Sequence, residues 1–224
     1  MAKKRANHNS TIRTLAKGIY QLASEVGQGR ELGELQAIFS RVANSIASNP
    51  ELATEENIDV LGRLLNARAD SALTITVIVG LHAIATRTDL SFGAADHVVN
   101  ILIEALKDAD MRRGVEYQLM DSLTDIAKEH NTFAHEVAGG LLSFLHDNKN
   151  SHFSLYAGGY LAAIAINASG TLRVKIEEAL LTALNSENAA EREGGIAGLR
   201  VFRNSKMEAL KNLAETLPPA TPSP

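Results

Sequence analysis

The residues best suited to chemistry in this chain are histidines beside acids and one pair of aspartates. The first group is Asp96-His97, Glu129-His130 and His135-Glu136. A helix that grips a metal uses two histidines one turn apart, as in H-E-x-x-H, and no such spacing occurs. Asp121 and Asp125 lie one helical turn apart and can share a face. Two carboxylates divide into acid and base only where their surroundings separate their pKa values. With Lys128 on the same stretch, the expectation is a solvated acidic face. His82, on an apolar helix, is expected to be a satisfied core or groove histidine rather than a ligand. There is no G-x-S-x-G elbow, no P-loop and no G-x-G-x-x-G. The chain has 0 Cys, which removes a thiolate nucleophile, thiolate zinc sites and disulfides. It fits a reducing compartment, and a cytoplasmic (intracellular) location is expected. No catalytic residue, metal ligand or cofactor follows from these patterns, and a non-enzyme is expected.

Charge narrows the partners. The net charge is -4. Residues 1–30 hold six Lys or Arg and one acid, so the remainder carries −9. Repeat arrays that grip nucleic acid need a cationic groove and usually stacking aromatics. Here aromatics are 4% with 0 Trp, so nucleic acid is not the expected partner. Contact through the basic N-terminus stays open as an alternative. The opening "MAKKRANHNS" is basic and polar and lacks the apolar stretch of a secretory signal.

The elements that would position any site are helices. Ile12, Leu15, Ile19, Leu22 and Val26 recur at steps of three and four. Leu32, Leu35, Ile38, Phe39, Val42 and Ile46 do the same. Four of the 5 Pro fall in the closing "PPATPSP", which reads as a disordered tail. Ser10, Thr54, Asp70, Ser91, Asp110, Thr132, Ser151 and Thr171 stand where helices can begin, each with a side-chain oxygen able to cap free amides.

The helices repeat. Leu61, Leu102, Leu141 and Leu180 each head a Leu-x-x-x-Leu segment that ends in a polar turn, at spacings of 41, 39 and 39 residues. Leu81, Leu123, Leu161 and Leu199 follow them by 20, 21, 20 and 19 residues. The expected architecture is all-α: four helical hairpins at about 51–90, 91–131, 132–170 and 171–204. Helices within 11–50 and 205–217 would cap the ends of this single domain, between a disordered basic head at 1–10 and a Pro-rich tail at 218–224. One amphipathic hairpin cannot bury its own apolar face, so hairpins must stack.

These segments resemble the HEAT/armadillo class of helical repeats. "LLTALNSENAAEREGGIAGLRVF" (residues 180–202) is the nearest piece, with Arg192 seven residues before Leu199. Glu116, Thr74 and Ser154 hold that place in the other three units, so the family's polar ladder is mostly missing. The resemblance covers residues 51–205. It implies a short α-α superhelix, or α-solenoid, that acts as a protein-binding scaffold with its second helices lining a concave face. Fold does not decide between binding and catalysis. An enzyme or accessory factor on the same repeat, lyase- or glycosylase-like, is the alternative.

"SHFSLYAGGYLAAIAINASGTL" (residues 151–172) contains no charged residue. A membrane span needs roughly 20 predominantly apolar residues, and polar residues interrupt this window. It also falls where the second helix of the third hairpin belongs, so a membrane span is not expected. Gly158-Gly159, Gly139-Gly140, Gly194-Gly195, Gly80 and Gly198 are expected to serve close helix packing. The second helices at 71–86 and 151–167 are apolar nearly all round. Val79, Ala83, Tyr156, Tyr160 and Ala163 are therefore expected to line an apolar strip, with Gln118, Asp121, Asp125 and Arg200 at its rim. The expected occupant is a partner helix or peptide. Burial of the strip by the N-terminal helices or in a homodimer is the competing outcome.

Overall fold

Apolar residues at steps of three and four fold into helices throughout the computed structural model, which describes residues 31–48, 52–65, 71–87, 92–107, 114–146, 151–168 and 170–216. The basic head, the helix expected at 11–26 and the Pro-rich tail lie outside the described residues, as do Ser10, Asp70, Ser91 and Asp110. Among the described residues there are nine α-helices and no strand. They are α1 (Glu31–Ser48), α2 (Glu55–Leu65), α3 (Ser71–Ala85), α4 (Phe92–Lys107), α5 (Val115–Glu129), α6 (Ala134–His146), α7 (Ser151–Asn167), α8 (Thr171–Leu184) and α9 (Ala189–Thr216). No helix of the described residues is long and apolar enough to cross a membrane.

Local chemistry sets the helix ends. Thr54 Oγ1 accepts the Asn57 amide at 3.3 Å, and Glu55 and Glu56 occupy the first turn of α2, where the helix dipole favours acids. Thr132 instead sits in a 3-10 turn, Asn131–Phe133, and Ser151 and Thr171 are the first helical residues of α7 and α8. Glycines precede α5 and α8: Gly114 at φ 100 and Gly170 at φ 68, a region that side chains disfavour. Asn188 caps α9, its Oδ1 accepting the Ala190 amide at 3.0 Å.

The chain divides into two units, Met1–Gly140 and Leu141–Pro224. In the first, α2 packs on α4 and α3 packs on α5, while α2–α3 and α4–α5 pack as hairpins and α1 lies on α3. First helices thus meet first helices, and second helices meet second helices. In the second unit α7 packs on α9, and α8 lies against both.

Seven of the eight landmark leucines are fully buried. Leu61, Leu102, Leu141 and Leu180, on α2, α4, α6 and α8, are each fully buried. So are Leu81, Leu123 and Leu161 on α3, α5 and α7, whereas Leu199 on α9 is half-buried. Each fully buried leucine is worth roughly 1.5–3 kcal/mol relative to exposure. Seven residues before the second landmark, Thr74, Glu116 and Ser154 are buried. Arg192, in the fourth copy, donates from Nη1 to the carbonyls of Ser186 at 2.7 Å and Glu187 at 2.8 Å, closing the turn after α8.

The glycines divide by what a side chain would meet. A Cβ on Gly198 would lie 2.6 Å from the Gly158 carbonyl oxygen. One on Gly158 would strike the Gly194 carbonyl, and one on Gly194 the Ser154 carbonyl. Ser154 and Gly158 are four apart on α7, as are Gly194 and Gly198 on α9, the spacing that lets two helix backbones touch. Gly80 faces Ala43 on α1. Gly139 and Gly159 meet nothing within 4 Å, so the packing expectation does not extend to them.

Residues 205–216, expected as a cap, continue α9 without a break. Lys206, Met207 and Glu208 on this extension are exposed.

Candidate functional site

Each candidate residue can be placed by counting from the second landmark leucine. In the N-terminal unit, α3 offers Thr76, Val79 and Ala83 at five before, two before and two after Leu81. Val79 is 48% exposed, and Thr76 and Ala83 are half-buried. The same three places on α5 hold Gln118, Asp121 and Asp125. Asp121 is exposed and the other two are half-buried. Because α3 packs on α5, the expected apolar residue and three of the expected rim residues belong to neighbouring helices of one unit. Gln118 Nε2 donates to Ser122 Oγ at 3.3 Å, and Lys128 Nζ pairs with Asp125 Oδ1 at 3.1 Å. The arrangement is an uncharged helix face beside an acidic one.

In the C-terminal unit, the same places on α7 hold Tyr156, Gly159 and Ala163. Tyr156 is 39% exposed, its neighbour Leu155 is 37% exposed, and Tyr160 and Ala163 are half-buried. Gly159 opens the backbone between the two tyrosines. Arg200 is exposed on α9, but one place after its landmark. Thr124 and Ala162 fill that place on α5 and α7 and are buried. Arg200 is therefore exposed but outside the register shared by Val79, Gln118, Asp121, Asp125 and Tyr156.

Of the histidine–acid pairs, one joins two helices in the N-terminal unit. His97 Nε2 meets Asp59 Oδ1 at 2.7 Å and ties α4 to α2. His135 is exposed. Burial holds the Glu136 carboxyl above its ordinary range, and the Asp96 carboxylate pushes it further in the same direction. The His130 amide closes α5 on the Ile126 carbonyl at 2.8 Å, and the His130 ring stands edge-on to Phe133 at 6.2 Å. In the C-terminal unit His146 Nδ1 meets Glu191 Oε1 at 2.5 Å. Among the described residues no group of three or more His, Asp or Glu could hold a metal ion.

Sequence reasoning missed a set of buried polar atoms in the N-terminal unit. His82 Nε2, Glu116 Oε2, Thr124 Oγ1 and His130 Nε2 are buried without hydrogen-bond partners. His82 is therefore not the satisfied histidine that was expected. Glu116 is 4% exposed, and burial raises its carboxyl pKa, partly offset by a hydrogen bond from its own backbone amide. The available signal was positional: Glu116 stands in the repeat at a place where Thr74 and Ser154 are small and neutral.

Comparison of the chain with family models, curated proteins and solved structures finds no match.

Proposed function

We propose that this chain is a non-enzymatic protein-binding module, a short α-solenoid of HEAT/armadillo type that holds a partner helix or peptide on its second helices. One observation carries the reading. The places five before, two before and two after the landmark leucine are accessible on α3, α5 and α7 alike, while the landmarks themselves are fully buried. In the N-terminal unit a partner laid across α3 and α5 meets Val79, then Gln118 and Asp121, and in the C-terminal unit Tyr156 holds the matching place on α7. Apolar anchors beside a carboxylate suit an amphipathic segment with a basic flank. First-on-first and second-on-second packing in the N-terminal unit favours the solenoid. So does the turn closure by Arg192, the residue on which the family resemblance rests. The module would work inside the cell, consistent with its 0 Cys.

The test is affinity capture with the full chain, followed by mass spectrometry, against the Val79→Glu and Tyr156→Glu variants. The expected result is a protein captured by the parent and lost, by ~10-fold or more, in both variants, as for a central anchor. Capture that survives both substitutions removes the strip as the binding surface.

A further inference from the structure

First helices in the N-terminal unit meet by one repeated contact. The residue after one landmark leucine faces the residue before the next. Gly62, after Leu61, sits on Ile101, before Leu102, and a Cβ on Gly62 would lie 2.9 Å from Ile101 Cδ1. Ile103, after Leu102, sits on Gly140, before Leu141, and a Cβ on Gly140 would lie 3.1 Å from Ile103 Cγ2. Each contact pairs a branched residue with a glycine.

On α8 the residue in this stacking place is Leu181, and it is 49% exposed. Seven residues earlier Val174 is 52% exposed, in the place where α2, α4 and α6 carry Glu55, Asp96 and His135. A helix face that meets solvent is normally polar. The exposed side of α8 keeps its apolar residues. Between α8 and α9 runs a groove of ≈ 330 Å³ lined by Glu177, Leu181, Leu199, Phe202, Arg203 and Lys206. Its charge is lopsided. Glu177 is shared between Arg173 at 3.5 Å and Lys206 at 3.9 Å. Arg203 is exposed, in the place where α3, α5 and α7 bury Ala85, Ala127 and Ala165.

We propose that this face of α8 and α9 docks an amphipathic α-helix of another protein. A glycine or alanine of that helix seats on Leu181, and its flanking carboxylates meet Arg203 and Lys206. The alternation of large and small residues sets the first requirement, and the cationic rim sets the second. A second copy of this chain suits the face less well. Its α2 offers Val60 before Leu61, which would set a large residue against Leu181. Neither Val79 nor Tyr156 lines this groove.

The probes are fluorescein-labelled synthetic helices of about 20 residues, long enough to hold a helix. One carries a leucine stripe, a central alanine and flanking glutamates. The second replaces the glutamates with lysines, and the third replaces the central alanine with leucine. Anisotropy is measured on the full chain. The acidic, alanine-centred helix is expected to bind in the micromolar range, with Kd rising with salt. The other two helices are expected to bind at least ~10-fold more weakly, as is the first helix to Leu181→Glu or Arg203→Glu. Both residues are exposed, so circular dichroism should show the fold kept. Val79→Glu should leave this binding unchanged, which separates its failure from failure of the strip. Equal binding of acidic and basic helices, no binding below ~1 mM, or binding indifferent to Leu181→Glu overturns the proposal. So does a sedimenting dimer that Leu181→Glu dissolves, because the face would then be a self-interface.

Discussion

The α3–α5 contact and the α7–α9 contact join second helices in opposite ways. Three residues before the landmark, α3 and α5 carry Ile78 and Met120, both fully buried, whereas α7 carries Gly158. In the N-terminal unit buried side chains occupy this place, and α3 and α5 also carry buried polar atoms with no partner, at His82, Glu116 and Thr124. In the C-terminal unit backbone meets backbone across Gly158, Gly194 and Gly198. Side-chain packing tolerates substitution because neighbours can rearrange. A backbone seam has nothing to rearrange. One period thus supports a forgiving joint and an unforgiving one.

The largest effect that follows is at Gly158. Alanine there gains about 1 kcal/mol of helix propensity but drives a methyl group into the Gly194 carbonyl. Overpacking costs typically 1–3 kcal/mol and more where the obstacle is rigid. Gly158→Ala is expected to lose about 3 kcal/mol net in urea unfolding, with faster amide exchange in α7 and α9. A wild-type midpoint would mean that the two backbones are not in contact.

The buried carboxyl of Glu116, whose Oε2 has no partner, gives the next effect. Its native pKa lies above the ordinary 4.5 because burial penalises the charge. Between the unfolded and folded pKa values the native state keeps a proton that the unfolded chain has lost. Stability therefore falls as pH rises through that window and stays lower above it. Glu116→Gln removes the charge, and it is expected to stabilise the chain at pH 7 by about 1–3 kcal/mol, the scale for an unpaired buried polar group. The gain should shrink as pH falls through that window and vanish below ~4.5. A gain that is constant with pH would show that the carboxylate is not the source.

The sequence disclosed the leucine landmarks because an apolar period is a property of the chain itself. Burial of Leu61, Leu102, Leu141 and Leu180 needs only that each helix turn its stripe inward. The exposure of Val79 and Tyr156 follows from the same phase. Arg200 falls one place off the register of the other rim residues, a phase that its charge alone does not show. His82 was misjudged because a hydrogen-bond partner belongs to the neighbouring helix. The expected end cap at 205–217 depended on a break after Asn204, yet no Gly or Pro lies between Gly198 and Pro218 to make one. The glycine seam was half visible. Four-residue spacing linked Gly194 to Gly198, but spacing alone does not reveal which member of Gly158-Gly159 faces inward.

That ambiguity supplies the smallest and sharpest test. Gly159 adjoins Gly158, yet a Cβ placed on it meets nothing within 4 Å. It lies in an α-helix, where alanine is favoured over glycine by about 1 kcal/mol. Gly159→Ala is therefore expected to stabilise the chain by about 0.5–1 kcal/mol, through the lower entropy of the unfolded chain. Gly139, equally open beside the packed Gly140, should respond in the same direction. Opposite signs at adjacent residues cannot arise from helix propensity, which treats both glycines alike. They require a helix that presses one side of its backbone against a neighbour and leaves the other uncovered. If Gly159→Ala leaves stability raised but weakens capture of the partner that Tyr156→Glu also loses, the open backbone between the tyrosines is part of the contact surface.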